Sequence, residues 1–197
     1  MNTLCLDTSH KYLVVGLLRN DQVIDGMMEL CWKKQSELVL PVIDRLLNKH
    51  QMIPSDIKEI VISKGPGSFT GVRIAMTIAK VLGCTTDMKV YTISTLALYA
   101  GEADALVLLD ARGGRCYVGD YNNFIGEETI QHIDQLNINQ RLNKQIIGDG
   151  SLLGFKDDYP DIVRNFALTR PYWRLVDNIH TLKPSYLKES SEYQSHI

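Results

Sequence analysis

Residues 59–83 read EIVISKGPGSFTGVRIAMTIAKVLG. Ile60-Val61-Ile62 is a short β-branched run with the composition of a buried strand. Gly65-Pro66-Gly67 breaks it. Ser68 and Thr70 can both cap a helix, residues 72–82 carry that helix, and Gly83 suits its C-terminal stop. The unit is strand, glycine turn, helix. Such a turn aims backbone N–H groups and the positive end of the helix at one point, which suits either an anion or a closely packed backbone. The loop residues concerned are Gly65, Gly67, Ser68, Thr70 and Gly71.

Three catalytic motifs fail here by residue. The spacing of Gly65, Gly67 and Gly71 is one residue too long for the dinucleotide fingerprint. Val72 follows Gly71 where a phosphate P-loop needs lysine. Pro66 and Thr70 stand where a nucleophile elbow around Ser68 needs glycines. A tight turn whose glycines adopt backbone angles closed to other residues accounts for the same letters.

Before this stretch, residues 3–7, 12–18 and 23–30 form three apolar runs, the first two joined by Thr8-Ser9-His10-Lys11. They predict a three-stranded meander. Asp7 ends the first strand. It can hold the turn by bonding backbone N–H groups, or hold a metal or water near a phosphate. Residues 36–48 predict a helix with Ser36 as cap and a kink at Pro41.

The two helices are unusually greasy. At about 100° per residue, Leu38, Val39, Leu40, Val42, Ile43, Leu46 and Leu47 cover roughly 200° of the first. On the second, Val72, Ile74, Ala75, Met76, Ile78, Ala79, Val81 and Leu82 cover roughly 220° and leave Arg73, Thr77 and Lys80 on a narrow polar strip. Covering one core needs only about 100° or somewhat more. Either both helices are buried on two sides within this chain, or each shows one face to a sheet and another to a partner protein. In the second case Ala75 and Ala79 let a partner helix approach closely, and assembly is helix on helix, two helices from each chain. The candidate partner-facing residues are Leu38, Val42 and Leu46 on the first helix, with Thr70, Arg73, Ile74, Thr77, Ile78 and Val81 on the second.

After a strand at residues 90–94 and a bridging helix at 95–100, the chain begins again. Leu4-Cys5-Leu6-Asp7 parallels Val107-Leu108-Leu109-Asp110, and Leu13-Val14-Val15-Gly16 parallels Cys116-Tyr117-Val118-Gly119. Both pairs are offset by 103 residues. A strand–Asp–turn–strand unit repeated at one offset suggests internal duplication. Asp7 and Asp110 could then approach across a pseudo-twofold cleft and hold a divalent cation with a nucleotide. However, Thr8-Ser9 follows Asp7, not a glycine-rich phosphate hairpin. Further on, residues 127–133 predict a strand and 134–142 a short helix. Gln145-Ile146-Ile147 leads into Gly148-Asp149-Gly150, whose Asp149 can contact ribose or phosphate or simply make the turn. Residues 152–173 show no readable pattern. Residues 183–188 close the fold with Tyr186 and Leu187 packed down, and 189–197 are expected to fray. The expected organisation is an N-terminal subdomain over 1–98, a shortened C-terminal one over 99–189, and a tail over 190–197.

Composition bounds the function. The chain has 197 residues, 45% hydrophobic and 22% charged, with a net charge of −2. That is an ordinary globular composition, and it argues against a large basic surface for RNA. Cys5, Cys31, Cys84 and Cys116 have no paired spacing and read as single core residues in a reducing compartment. Asp7 and His10 interrupt the apolar N-terminus, so neither a signal peptide nor a membrane span is expected, and the predicted location is cytoplasmic. Among His10, His50, His132, His180 and His196 no two are three or four apart, so no helical metal pair exists. No metal ligand set and no catalytic residue emerges.

The eleven letters GPGSFTGVRIA at residues 65–75 resemble the signature of the TsaB (YeaZ) family, bacterial partners in making threonylcarbamoyladenosine in tRNA. Leu6-Asp7-Thr8, Glu29-Leu30-Cys31, Leu40-Pro41, Ser94-Thr95-Leu96, Asp110-Ala111-Arg112 with Tyr117, and residues 184–188 follow in the family's order. The resemblance implies an α/β, actin-like fold of the sugar kinase/Hsp70 superfamily, with two duplicated subdomains and mixed sheets. It implies a chain that lacks the metal-binding histidine pair of the catalytic subunit TsaD and binds TsaD through its N-terminal helices in a four-helix bundle. The complex, with TsaE and ATP, transfers threonylcarbamoyl to the adenosine beside the anticodon of tRNAs reading ANN codons. This chain would be needed without being the catalyst, bind no cofactor alone, and meet tRNA only through the complex. A homodimer through the same helices is the other assembly implied. Gln35-Ser36 and Ala75 depart from the family's frequent His-Ser and Gly. The competing reading is an enzyme, either an actin-like ATP-dependent kinase or a peptidase-like hydrolase.

Overall fold

The computed structural model describes residues 1–31, 33–136 and 143–187. The first sheet contains β1 (Asn2–Asp7), β2 (Tyr12–Arg19), β3 (Gln22–Leu30), β4 (Ile57–Ser63), β5 (Lys89–Ile93) and β10 (Arg174–Leu175), in the order β10-β5-β4-β1-β2-β3. The meander β1-β2-β3 is antiparallel, while β4 joins β1, and β5 joins β4, in parallel. Parallel neighbours need crossovers, and α1 (Gln35–Lys49) and α2 (Phe69–Thr85) supply them.

The second sheet contains β6 (Ala105–Arg112), β7 (Arg115–Asn122), β8 (Ile125–His132) and β9 (Gln145–Gly148), in the order β8-β7-β6-β9. It repeats the first: an antiparallel meander with a parallel strand beside its first member. The duplicated letters at Asp7 and Asp110 therefore lie on equivalent strands, β1 and β6.

Residue alternation decides the layers. Leu4, Leu6, Leu13, Val15, Leu17, Ile60 and Ile62 point to the face covered by α1 and α2. Cys5, Val14, Leu18 and Val61 point the other way, into a cluster with Val107, Leu109 and Tyr117 of the second sheet. Two short helices, α3 (Thr95–Ala100) and α4 (Ile162–Leu168), join that cluster. α3 packs on β6 and β7, and α4 packs on β2 and β3. Among the described residues, the far face of the second sheet carries a smaller cluster around Leu106, Leu108, Cys116 and Val118.

Several local expectations need correction. The N-cap of α1 is Lys34, which makes no side-chain cap bond, and Ser36 lies within the first turn. Gly83 does not end α2, which runs to Thr85 and is closed by Thr86 bonding Leu82 O. A Cβ at Gly83 would sit 2.7 Å from Val90 Cγ2 and 3.3 Å from Ile179. Close packing, not helix termination, explains that glycine. Cys84 is exposed, unlike the other three cysteines.

The stretch without a readable pattern holds α4, and beyond it the chain returns to the first sheet. β10 pairs with β5, and Val176, Ile179 and Leu182 pack against the core beneath α2. Tyr186 stacks on Phe69 and Leu187 packs on the inter-sheet cluster. Of the helix expected over 134–142, only a 3-10 turn at Ile133–Gln135 is seen. Residues 137–142, Lys188 and the tail 189–197 lie outside the described residues. No helix among the described residues is long and apolar enough to cross a membrane.

Candidate functional site

The glycine loop is a joint between β4 and α2. Ser68 caps the helix, its Oγ accepting the Gly71 amide at 3.3 Å. Thr8 Oγ1 donates to Gly71 O at 2.6 Å and accepts the Ala75 amide at 3.2 Å. The Ser68 amide donates to Ser9 O at 2.7 Å. A Cβ would lie 2.4 Å from Ser9 O at Gly67, and 2.1 Å from Thr8 O at Gly71. Gly65, at φ +100°, faces Ser185 O in the same way. Backbone occupies the space around the loop, and only glycine permits that approach. Thr70 is exposed on the helix surface.

The three cleft carboxylates have different surroundings. Asp7 is fully buried and accepts from the Ser9 amide at 2.9 Å, from Tyr99 Oη at 3.2 Å, and from Ser63 Oγ. Asp110 is half-buried and accepts the Arg112 amide at 2.7 Å. Its own amide donates to Asp149 at 2.8 Å, so the structure does bring Asp110 and Asp149 together.

Asp149 is the hub. Its carboxylate pairs with Lys11 Nζ at 3.1 Å and His10 Nε2 at 3.1 Å, and accepts from Tyr159 Oη. Lys11 also pairs with Asp157 at 3.1 Å and sits 4.5 Å over the Tyr159 ring. Burial alone would raise the Asp149 pKa, but the His10, Tyr159 and Asp110 hydrogen bonds outweigh it and hold the carboxyl well below its ordinary value. Burial, then the same carboxylate, push the Tyr159 phenol up. Asp149 thus stays ionised, with its lone pairs directed at this chain's own donors. His10, Lys11, Tyr99 and Tyr159 carry no site signal in the sequence. Among the described residues no group of three or more His, Cys, Asp or Glu is placed to hold a metal ion.

The other candidate site is a groove of about 430 Å³ between α1 and α2. Thr70, Arg73, Ile74, Thr77 and Ile78 line its α2 wall, opposite Ser36, Val39 and Leu40. These α2 positions recur at helical spacing and continue into Val81, which is 55% exposed. Leu38 is 37% exposed and Leu40 60%. Two candidates are corrected. Val42 and Leu46 are buried in this chain's own core against the first sheet, and so present nothing to a partner. Ala75 and Ala79 are likewise on the core face, where their small size lets α2 approach its own sheet. Sequence reasoning missed Leu40 and Phe69 as groove residues. Phe69 is 38% exposed, lies beneath the Arg73 guanidinium at 3.7 Å, and is stacked by Tyr186.

A family model described as "TsaD: tRNA N6-adenosine threonylcarbamoyltransferase" matches residues 28–145. The tRNA threonylcarbamoyladenosine biosynthesis protein TsaB of Escherichia coli K12 is 30% identical over 181 residues, covering 85% of this chain and 78% of the relative. The chain belongs to the TsaB (YeaZ) family. The TsaB of Bacillus subtilis 168 is 38% identical over 137 residues, covering 66% of this chain and 60% of that relative. The TsaB of Buchnera aphidicola from Schizaphis graminum is 32% identical, covering 75% and 78%. A solved structure of YeaZ from Pseudomonas aeruginosa superposes with a TM-score of 0.74 at 21% identity, covering 94% of this chain and 99% of that one. The fold is thus the α/β actin-like fold shared with YeaZ. Within this TsaB-family chain, the glycine loop joins that fold's first sheet to the groove-forming helix.

Proposed function

We propose that this chain serves tRNA threonylcarbamoyladenosine biosynthesis as a non-catalytic subunit that binds a TsaD-like catalytic partner through the α1/α2 face. The observation that carries this reading is the groove between α1 and α2, with Leu40 and Phe69 exposed in its lining and Val81 exposed one turn further along α2. Exposed apolar patches rimmed by polar residues mark protein interfaces. Here Ser36, Thr70, Arg73 and Thr77 supply the rim. The Asp149 carboxylate is engaged by this chain's own donors, which supports a role in assembly over one in chemistry.

In this reading the chain binds no cofactor of its own. ATP is used by the complex, with a TsaE-like ATPase, and tRNA reading ANN codons is met through the complex in the cytoplasm. The same face also suits pairing with a second copy when the catalytic partner is absent.

The test is threonylcarbamoyl transfer to tRNA by TsaD-like and TsaE-like proteins with ATP, with and without this chain. Transfer that requires the chain, together with no transfer or ATP hydrolysis by the chain alone, is expected. Undiminished transfer without it, or hydrolysis by the purified chain that disappears in Asp7→Ala or Asp149→Ala, overturns the proposal.

A further inference from the structure

The hairpin loop of residues 8–11 touches both halves of the molecule. On one side it supports the N-terminal ends of both groove helices. Thr8 bonds Gly71 O and the Ala75 amide, and Ser9 O accepts the Ser68 amide. His10 O accepts Gln35 Nε2, at the start of α1, at 3.1 Å. On the other side, His10 and Lys11 point their side chains at Asp149 of the second half.

We infer that Asp149 is a positioning residue for the α1/α2 face. By clamping His10 and Lys11 it fixes the loop that sets the first turns of both helices, so the second half of the chain governs the shape of the groove. Both sets of contacts fall within the four consecutive residues 8–11, and His10 belongs to both, so the chain between them has no slack to absorb a displacement. The joint cannot yield at Gly67 or Gly71 either, since Thr8 O and Ser9 O lie against them with no room for even a methyl group. Asp149 is 6% exposed. Removing its carboxylate leaves His10, Tyr159 and the Asp110 amide without that acceptor and Lys11 with Asp157 alone, so the group must shift to regain its lost bonds. The Asp7 bond to the Ser9 amide is a competing anchor within the first half. If Asp7 suffices, Asp149 is dispensable for the groove.

The clamp is defined by contacts within the chain. Only its consequence for binding rests on the partner-face reading. Amide hydrogen exchange of the full chain separates the two. In Asp149→Ala, amides of residues 35–40 and 69–75 are expected to exchange about tenfold faster, while those of the β2–β3 pairing keep their rates. Wild-type rates at both helix starts overturn the clamp, and so does uniform acceleration across both sheets, which would mean general destabilisation. If Asp149→Ala does not fold, Lys11→Met removes one donor from the rim of the same cluster. About a threefold acceleration in the same two segments is then expected, and unchanged rates overturn the inference. Affinity for the TsaD-like partner is measured alongside. Faster exchange with weaker binding supports the clamp and its consequence. Faster exchange with unchanged binding supports the clamp and removes the partner-face reading.

Discussion

The Tyr186 ring stacks on Phe69, with centroids 5.7 Å apart and planes 20° from parallel. Arg73 completes the group, its Nε donating to Tyr186 Oη at 3.0 Å while its guanidinium covers the other aromatic ring at 3.7 Å. The chain's return to the first sheet therefore ends on the first turn of α2. Tyr186→Ala is expected to cost about 1 kcal/mol in chemical denaturation, through the lost stack and hydrogen bond. Arg73→Ala removes part of the same interaction, so the double variant should lose less than the sum of the singles by about 0.5 kcal/mol or more.

The faces of α1 separate sharply by burial. Leu46→Ala should cost about 2–5 kcal/mol, because a side chain packed beneath the sheet leaves a cavity. Leu40→Ala should stay within about 0.5 kcal/mol, because its side chain is 60% exposed. Thermal or urea unfolding of the two variants checks both values. Equal losses would mean that the groove side of α1 is covered.

Gly71 tests the joint. Alanine there would place a methyl group 2.1 Å from Thr8 O, and backbone cannot swing aside as a flexible side chain does. Gly71→Ala should destabilise by about 3 kcal/mol or prevent folding. Thr8→Val, which keeps the shape and loses the two hydrogen bonds, should cost about 1–3 kcal/mol. Solubility and urea midpoints report both.

Much of this was legible in the sequence, for a physical reason. Ile60-Val61-Ile62 and its flanking glycines are local signals, and a strand buried on both faces has little choice of residues. The duplication was legible because equivalent strands keep equivalent letters. Width of an apolar arc was legible as well, but not its direction. Val42 and Leu40 both lie within the arc on α1, and only the placement of that helix on β2 sends one inward and the other outward. Gly83 misled because its partners, Val90 and Ile179, come from elsewhere in the chain. Asp149 stood out between its two glycines, but its partners His10, Lys11 and Tyr159 were not legible. His10 is 139 residues from Asp149, and no spacing rule spans that distance.

Acid should expose a weak point at β3. Lys49 and then His50 bond the Asp25 carboxylate, and the Gly26 amide adds to them, lowering its pKa from 3.8 to about 2. A folded-state pKa below the unfolded one means stability that is fully present above the unfolded value and is lost as pH falls toward the folded value. Because Lys49 is 65% exposed, screening reduces the contribution to about 1 kcal/mol. The stability gap between wild type and Asp25→Asn should be constant above about pH 5, shrink below about pH 4 and close as pH falls through about 2. A gap that is undiminished at pH 2 would contradict that assignment.

The central claim is that the groove between α1 and α2 receives a catalytic partner. Co-purification of tagged TsaD-like protein with wild type, Leu40→Asp and Val81→Asp tests it most directly, with the melting temperature of each variant measured in parallel. Wild type should be retained, and both variants should melt within a few degrees of it while losing at least about tenfold in affinity, since a buried unpaired carboxylate opposes association. Folded variants that are retained as well as wild type would contradict the claim and place the interface elsewhere.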